Sequence, residues 1–149
     1  MKIFAFALFA LSLPVPVLAI CIESPLATDI AKAETVFVAT VTDARLEQPL
    51  SQLKGGDYFS VLYGFSVARK IKGDPSTVSA LVTRAVFSDP NSEVQWEFGE
   101  QTSLLPGDSV LVVTSASGLA PVSAIGCTPS RPWNEQTIQA TKGLPGFAP

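Results

Sequence analysis

Cys21 and Cys127 are the only two cysteines among 149 residues, and each could act as a cross-link, a metal ligand or a nucleophile. The other residue types that do chemistry are thin. There is no histidine, which removes the usual general base at neutral pH and the commonest metal ligand. The 13 carboxylates are scattered without metal-ligand spacing. Their densest group, Glu93, Glu97 and Glu100, reads as a solvated loop or strand edge. No serine stands in a G-x-S-x-G elbow or an S-x-x-K motif. Lys54-Gly55-Gly56-Asp57 lacks the spacing and the following helix of a phosphate loop. The residues therefore predict no catalytic side chain, no resident metal and no cofactor.

What the cysteines do depends on where the chain goes. Lys2 gives a short positive start, Ile3 to Leu13 is apolar apart from Ser12, and Pro14 ends the run. Val17-Leu18-Ala19 then supplies a small-x-small cleavage pattern. The run is shorter than the roughly 20 apolar residues a spanning helix needs. Residues 1–19 are read as a signal peptide cleaved after Ala19, with no stable membrane anchor, leaving Ile20 first in the mature chain. A lipoprotein signal at Cys21 is disfavoured because bulky Ile20 precedes it. The expected destination is periplasmic or extracellular, by a bacterial secretory route. There, two cysteines most simply form one bridge, Cys21 to Cys127; two free thiols or bonds to another chain are the alternatives. Closing so long a loop would constrain the unfolded chain by about 4–5 kcal/mol, before any native strain is subtracted.

Loss of Lys2 with the signal moves the formal net charge from −3 to −4. An acidic exported chain whose basic cluster is Arg69, Lys70 and Lys72 does not suit nucleic acid, which needs clustered cations with stacking aromatics. About 130 mature residues make one compact domain.

The elements that must position these residues are mostly strands. Ser24 to Ala33 reads as a short amphipathic helix, with Ser24 capping, Pro25 first inside, and Leu26, Ile30 and Ala33 on one face. Thr35 to Thr42 is β-branched and aromatic and reads as a strand buried on both faces. Residues 45–57 carry Pro49 and Gly55-Gly56 and read as a loop. Strands follow at Tyr58–Ile71, Thr77–Phe87 and Ser109–Thr114, and a last one from Gly118 towards Cys127; Val94, Trp96 and Phe98 alternate as a shorter strand would. Glu135 to Thr141 is expected as a final helix stopped by Gly143 and Pro145, with a loose tail at 144–149. Trp96 and Trp133 are expected as core or lid, and Arg131 as a structural partner of a carboxylate. Five or so strands with turns between them predict a small barrel or sandwich.

The order of pieces is similar to that of a known family. Thr35-Val36-Phe37-Val38-Ala39-Thr40-Val41 follows a helix after an N-terminal cysteine. Then come Arg69-Lys70-Ile71-Lys72-Gly73-Asp74, Leu105-Pro106-Gly107-Asp108-Ser109-Val110-Leu111-Val112-Val113, and Gly126-Cys127-Thr128-Pro129-Ser130-Arg131-Pro132-Trp133. This series resembles the bacterial relatives of the tissue inhibitors of metalloproteinases, the TIMP-like or netrin-type domains, over roughly Cys21 to Gly143. The resemblance implies a mainly β, OB-fold-like five-stranded Greek-key barrel with short flanking helices, spanning residues 20–143.

It also implies a candidate inhibitory ridge at Ile20, Cys21, Ile22 and Glu23. In the animal inhibitors the first residue is the cysteine, whose free amine and carbonyl ligate a protease zinc. Here Ile20 stands in front, so the amine of Cys21 is an internal amide unless cleavage falls one bond later. The expected function is non-catalytic binding of a protein or cell-envelope partner. Metalloprotease inhibition through the ridge is the alternative, and an enzyme using surface carboxylates a distant third.

Overall fold

The computed structural model describes residues 24–87, 96–97, 103–123 and 128–147. The signal segment, Ile20, Cys21, Ile22, Glu23 and Cys127 lie outside them. The elements run α1 (Leu26–Lys32), β1 (Thr35–Leu46), β2 (Tyr58–Lys72), β3 (Val78–Phe87), β4 (Trp96–Glu97), β5 (Ser109–Thr114), β6 (Gly118–Pro121), β7 (Arg131–Pro132) and α2 (Glu135–Thr141). The protein is mainly β.

One curled, mixed sheet holds all the strands, in the order β4-β3-β2-β1-β5-β7, with β6 laid parallel to β3. The curl has a local cause. β1 and β2 pair antiparallel with register shifts at Val36/Phe37, Val38/Ala39 and Val41/Asp43. Each such irregularity bends a strand and raises its twist. A bent β1 pairs with β2 over most of its length and with β5 from Thr35 to Thr40.

Alternation along β1 and β5 sorts the apolar residues into two layers. Phe37, Ala39, Val41, Val110 and Val112 point into the half-barrel, where they meet Phe59, Val61, Tyr63, Leu81 and Val122. Val36, Val38, Leu111 and Val113 point the other way, onto Leu26, Ile30, Ala33 and Phe147. Both faces of these central strands are therefore covered, as the unbroken β-branched run predicts. Each fully buried Val, Leu or Phe contributes about 1.5–3 kcal/mol relative to exposure. Inside the barrel the Tyr63 hydroxyl lies 3.2 Å from Thr83 Oγ1 and accepts from the Leu104 N–H at 3.4 Å, which satisfies a buried phenol.

Several local expectations change. Ser24 does not cap α1, whose N-cap is Pro25 with no side-chain hydrogen bond. The Ser24 hydroxyl instead donates to Asp29 Oδ1 at 2.6 Å. β1 continues four residues past Thr42, because Ala44, Arg45 and Leu46 still find partners at Tyr63, Leu62 and Val61. The last barrel strand stops at Pro121, followed by an isolated parallel bridge between Val122 and Ser130.

Residues 144–147 differ most from the loose tail expected. Leu144 packs on the second layer, Phe147 is 8% exposed within it, and Arg69 Nη2 donates to Gly146 O at 2.9 Å. Trp133 covers this layer from outside, its ring 6.0 Å from that of Phe147. By contrast α2 spans the residues predicted. The Asn134 side chain caps it by accepting from the Thr137 N–H at 3.0 Å.

Candidate binding surface

Among the described residues, α1, Trp133, Leu144 and Phe147 pack on the β1–β5 side, and the outward face of β2, β3 and β6 carries exposed Tyr58, Arg84 and Leu119. Strand alternation determines which side chains stand there. Phe59, Val61 and Tyr63 of β2 are buried inward, so Tyr58, Ser60 and Leu62 face out. On β3, Leu81, Thr83 and Ala85 are buried, so Val82, Arg84 and Val86 face out.

Register then builds rows across the sheet. Tyr58 lies opposite Val86, Ser60 opposite Arg84, and Leu62 opposite Val82 on one side and Arg45 on the other. Glu47 joins the middle row, its backbone N–H donating to Ser60 O at 3.1 Å. From β6, Leu119 and Pro121 border the same ground.

Two adjoining hollows follow. One, of about 480 Å³, is lined by Glu47, Ser60, Val82, Arg84, Leu119 and Pro121. The other, of about 370 Å³, shares Glu47, Ser60 and Arg84 and is walled by Gln48, Tyr58 and Phe59. Tyr58 is 73% exposed and Leu119 45%. The face thus sets an aromatic ring and an aliphatic side chain around a guanidinium, a carboxylate and a hydroxyl. That mixture suits non-covalent recognition: Tyr and Arg are enriched among residues that dominate binding energy. Among the described residues no group of three His, Cys, Asp or Glu side chains could hold a metal, and no helix is long and apolar enough to cross a membrane.

The residues singled out from the sequence are elsewhere. Ile20, Cys21, Ile22, Glu23 and Cys127 lie outside the described residues, as do Glu93 and Glu100. Trp96 and Glu97 form β4, opposite Phe87 and Val86. Arg131, opposite Leu111 in β7, donates from Nε to Pro129 O at 3.4 Å.

The basic cluster on β2 also has structural work. Arg69 holds Gly146, and Lys72 Nζ donates to Ala31 O at 3.1 Å, near the carboxyl end of α1. At the following turn, backbone and side-chain hydrogen bonds from Ser76, with a smaller contribution from Lys70, hold the Asp74 carboxyl below its ordinary pKa.

The outward face escaped the sequence reading because its members come from three strands. One signal was present: the outward positions of β2 and β3 carry Tyr58, Leu62, Val82 and Val86, where a purely solvated face would be polar. The chain matches no protein-family model, and no curated protein matches it.

Proposed function

We propose that this chain is an exported, non-catalytic binding protein that takes a protein or cell-envelope partner on the outward face of β2, β3 and β6. The observation carrying this reading is the open face itself, with Tyr58, Arg84 and Leu119 around shared hollows while the opposite side of the sheet is covered. The absence of histidine from the sequence points the same way.

The proposed architecture is the OB-fold barrel of the TIMP-like domains. Its support is the connectivity: a β1–β2–β3 meander, a β5 that returns antiparallel to β1, and a β6 that runs parallel to β3. These five strands in that order suit a partly open Greek-key barrel. A Cys21–Cys127 bridge belongs to the same proposal. It would tie the start of the mature chain, just before α1, to the segment entering β7.

The test uses the mature exported protein and a photo-cross-linker placed at Leu119, which borders the same ground. A defined partner should be captured at that position, and capture should be lost in the Tyr58→Ala/Arg84→Glu variant. Acetylating the N-terminal amine should leave capture unchanged. Binding that survives the double variant but disappears on acetylation would transfer the function to the ridge at Ile20–Glu23 and overturn this reading.

A further inference from the structure

A second, separate opening lies at the mouth of the half-barrel. β1 is paired with β5 only from Thr35 to Thr40. Beyond that, the Gly107 N–H donates to Val41 O and the Val41 N–H to Asp108 O, both at 2.9 Å. From Asp43 to Leu46 the strand keeps β2 on one side, and among the described residues no strand pairs with the other edge of Thr42–Leu46. Such an edge presents backbone donors and acceptors to an incoming chain.

The side chains beside this edge are unusual for their direction. Ala44 lies opposite Tyr63, which is buried in the barrel, so Ala44 faces inward; yet it is exposed. The reason is a cavity of about 300 Å³ lined by Ala44, Arg45, Leu46, Val61, Tyr63, Ser103, Leu104 and Leu105. The lining is mainly apolar. Arg45, opposite Leu62, and Asp43, opposite Gly64, stand on the outward side of the same stretch.

From this geometry we infer that Thr42–Leu46 is a strand-addition site for an extended peptide segment of a protein partner. Main-chain hydrogen bonds to the β1 edge hold the segment, and alternate side chains are read by what they meet. Directly opposed residues in a β pair share a face. An incoming antiparallel strand therefore places apolar residues opposite Ala44 and Leu46, into the cavity. It places an acidic residue opposite Arg45 and a basic one opposite Asp43. The required pattern is apolar-acidic-apolar-basic. The site shares no residue with the two hollows on the outward face, so it stands or falls independently of the function proposed above.

The probe is a capped hexapeptide, Thr-Leu-Glu-Leu-Lys-Thr, compared with its charge-swapped isomer, Thr-Leu-Lys-Leu-Glu-Thr. Binding is followed by NMR and by amide hydrogen exchange on the full mature chain. Before peptide is added, the Thr42–Leu46 amides not directed at β2 should exchange rapidly. The first peptide should slow them and bind at least tenfold tighter than its isomer. Arg45→Glu, a change at an exposed position, should reduce or invert that preference. Ala44→Trp should fill the cavity and weaken the first peptide at least tenfold. Slow exchange before peptide is added would mean that the edge is already taken, by this chain or by a second copy, and would overturn the inference. Equal binding of the two peptides, or no binding of either, would overturn it too.

Discussion

The Ser130 hydroxyl bonds twice to the backbone of Val113: it accepts from the Val113 N–H at 3.0 Å and donates to Val113 O at 3.1 Å. A side chain thereby does what a neighbouring strand would do for the end of β5. Ser130 also accepts through its own carbonyl from the Ser123 N–H at 3.1 Å, and it bridges to Val122. One buried serine thus links the end of β5 to the chain leaving β6.

Replacing Ser130 by alanine leaves both polar groups of Val113 without that partner in a buried place. An unsatisfied buried group costs about 1–3 kcal/mol. Ser130→Ala should lower stability by an amount in that range, read from the midpoint of urea unfolding with an unchanged slope. Ser130→Thr keeps the hydroxyl and should recover part of the loss. A midpoint unaltered in Ser130→Ala would show that the two bonds contribute nothing net.

Gly73 closes the β2–β3 connection with φ +71°, and an added Cβ would collide with Glu34 O and come within 2.8 Å of the Thr35 Cα. Gly56 has φ +88° but nothing within 4 Å of the same position. Gly56→Ala should therefore cost only the left-handed conformation, about 1–2 kcal/mol. Gly73→Ala adds a backbone collision and should cost clearly more. Paired thermal melts of the two variants check the difference, and equal losses would refute it.

Phe147 should behave as a core residue despite standing two residues from the end of the sequence. Phe147→Ala removes a buried ring from the second layer, for an expected loss of about 3 kcal/mol. The Trp133 ring, 6.0 Å away, provides the local readout, since its emission should shift on loss of its neighbour. An unchanged stability together with an unchanged Trp133 signal would mean that residues 144–147 are not held in solution.

Asp74 carries the pH dependence of the β2–β3 turn. Its carboxylate accepts from the Ser76 N–H at 3.0 Å, and this bonding depresses its folded-state pKa. A depressed carboxyl stabilises the fold above its unfolded pKa, and the contribution is lost as pH falls through the folded pKa. Asp74→Ala should be less stable than the parent at neutral pH. The gap should close in acid, below the folded pKa of Asp74. Asp74 is exposed, so the gap should be small and should shrink with added salt, as measured by denaturant unfolding across pH. A gap independent of pH would exclude the carboxylate as its source.

Local pattern was legible where one element answers to its own residues. The continuous β-branched run of β1 requires two covered faces, and α2 has Asn134 as cap and Gly143 just beyond it. Two readings misled because local chemistry competed with a partner further along. Ser24 has the type of a cap, but its hydroxyl goes to the Asp29 carboxylate. The segment Gly143-Leu144-Pro145-Gly146-Phe147 has the composition of a free tail. It is held because Arg69, far away in the chain, reaches Gly146, and because the second layer has room for Phe147.

Composition and periodicity alone therefore determined the mainly β class, the absence of histidine chemistry and the positions of most strands. These follow from side-chain type and from the two-residue repeat of a strand, which need no knowledge of neighbours. Which faces stay open was decided only in three dimensions. Tyr58, Arg84 and Leu119 come together because β3 pairs with β2 on one side and with β6 on the other. Ala44 is exposed while facing inward because β5 leaves β1 after Thr40. Pairing between distant strands sets both results, and no stretch of sequence states its own partner.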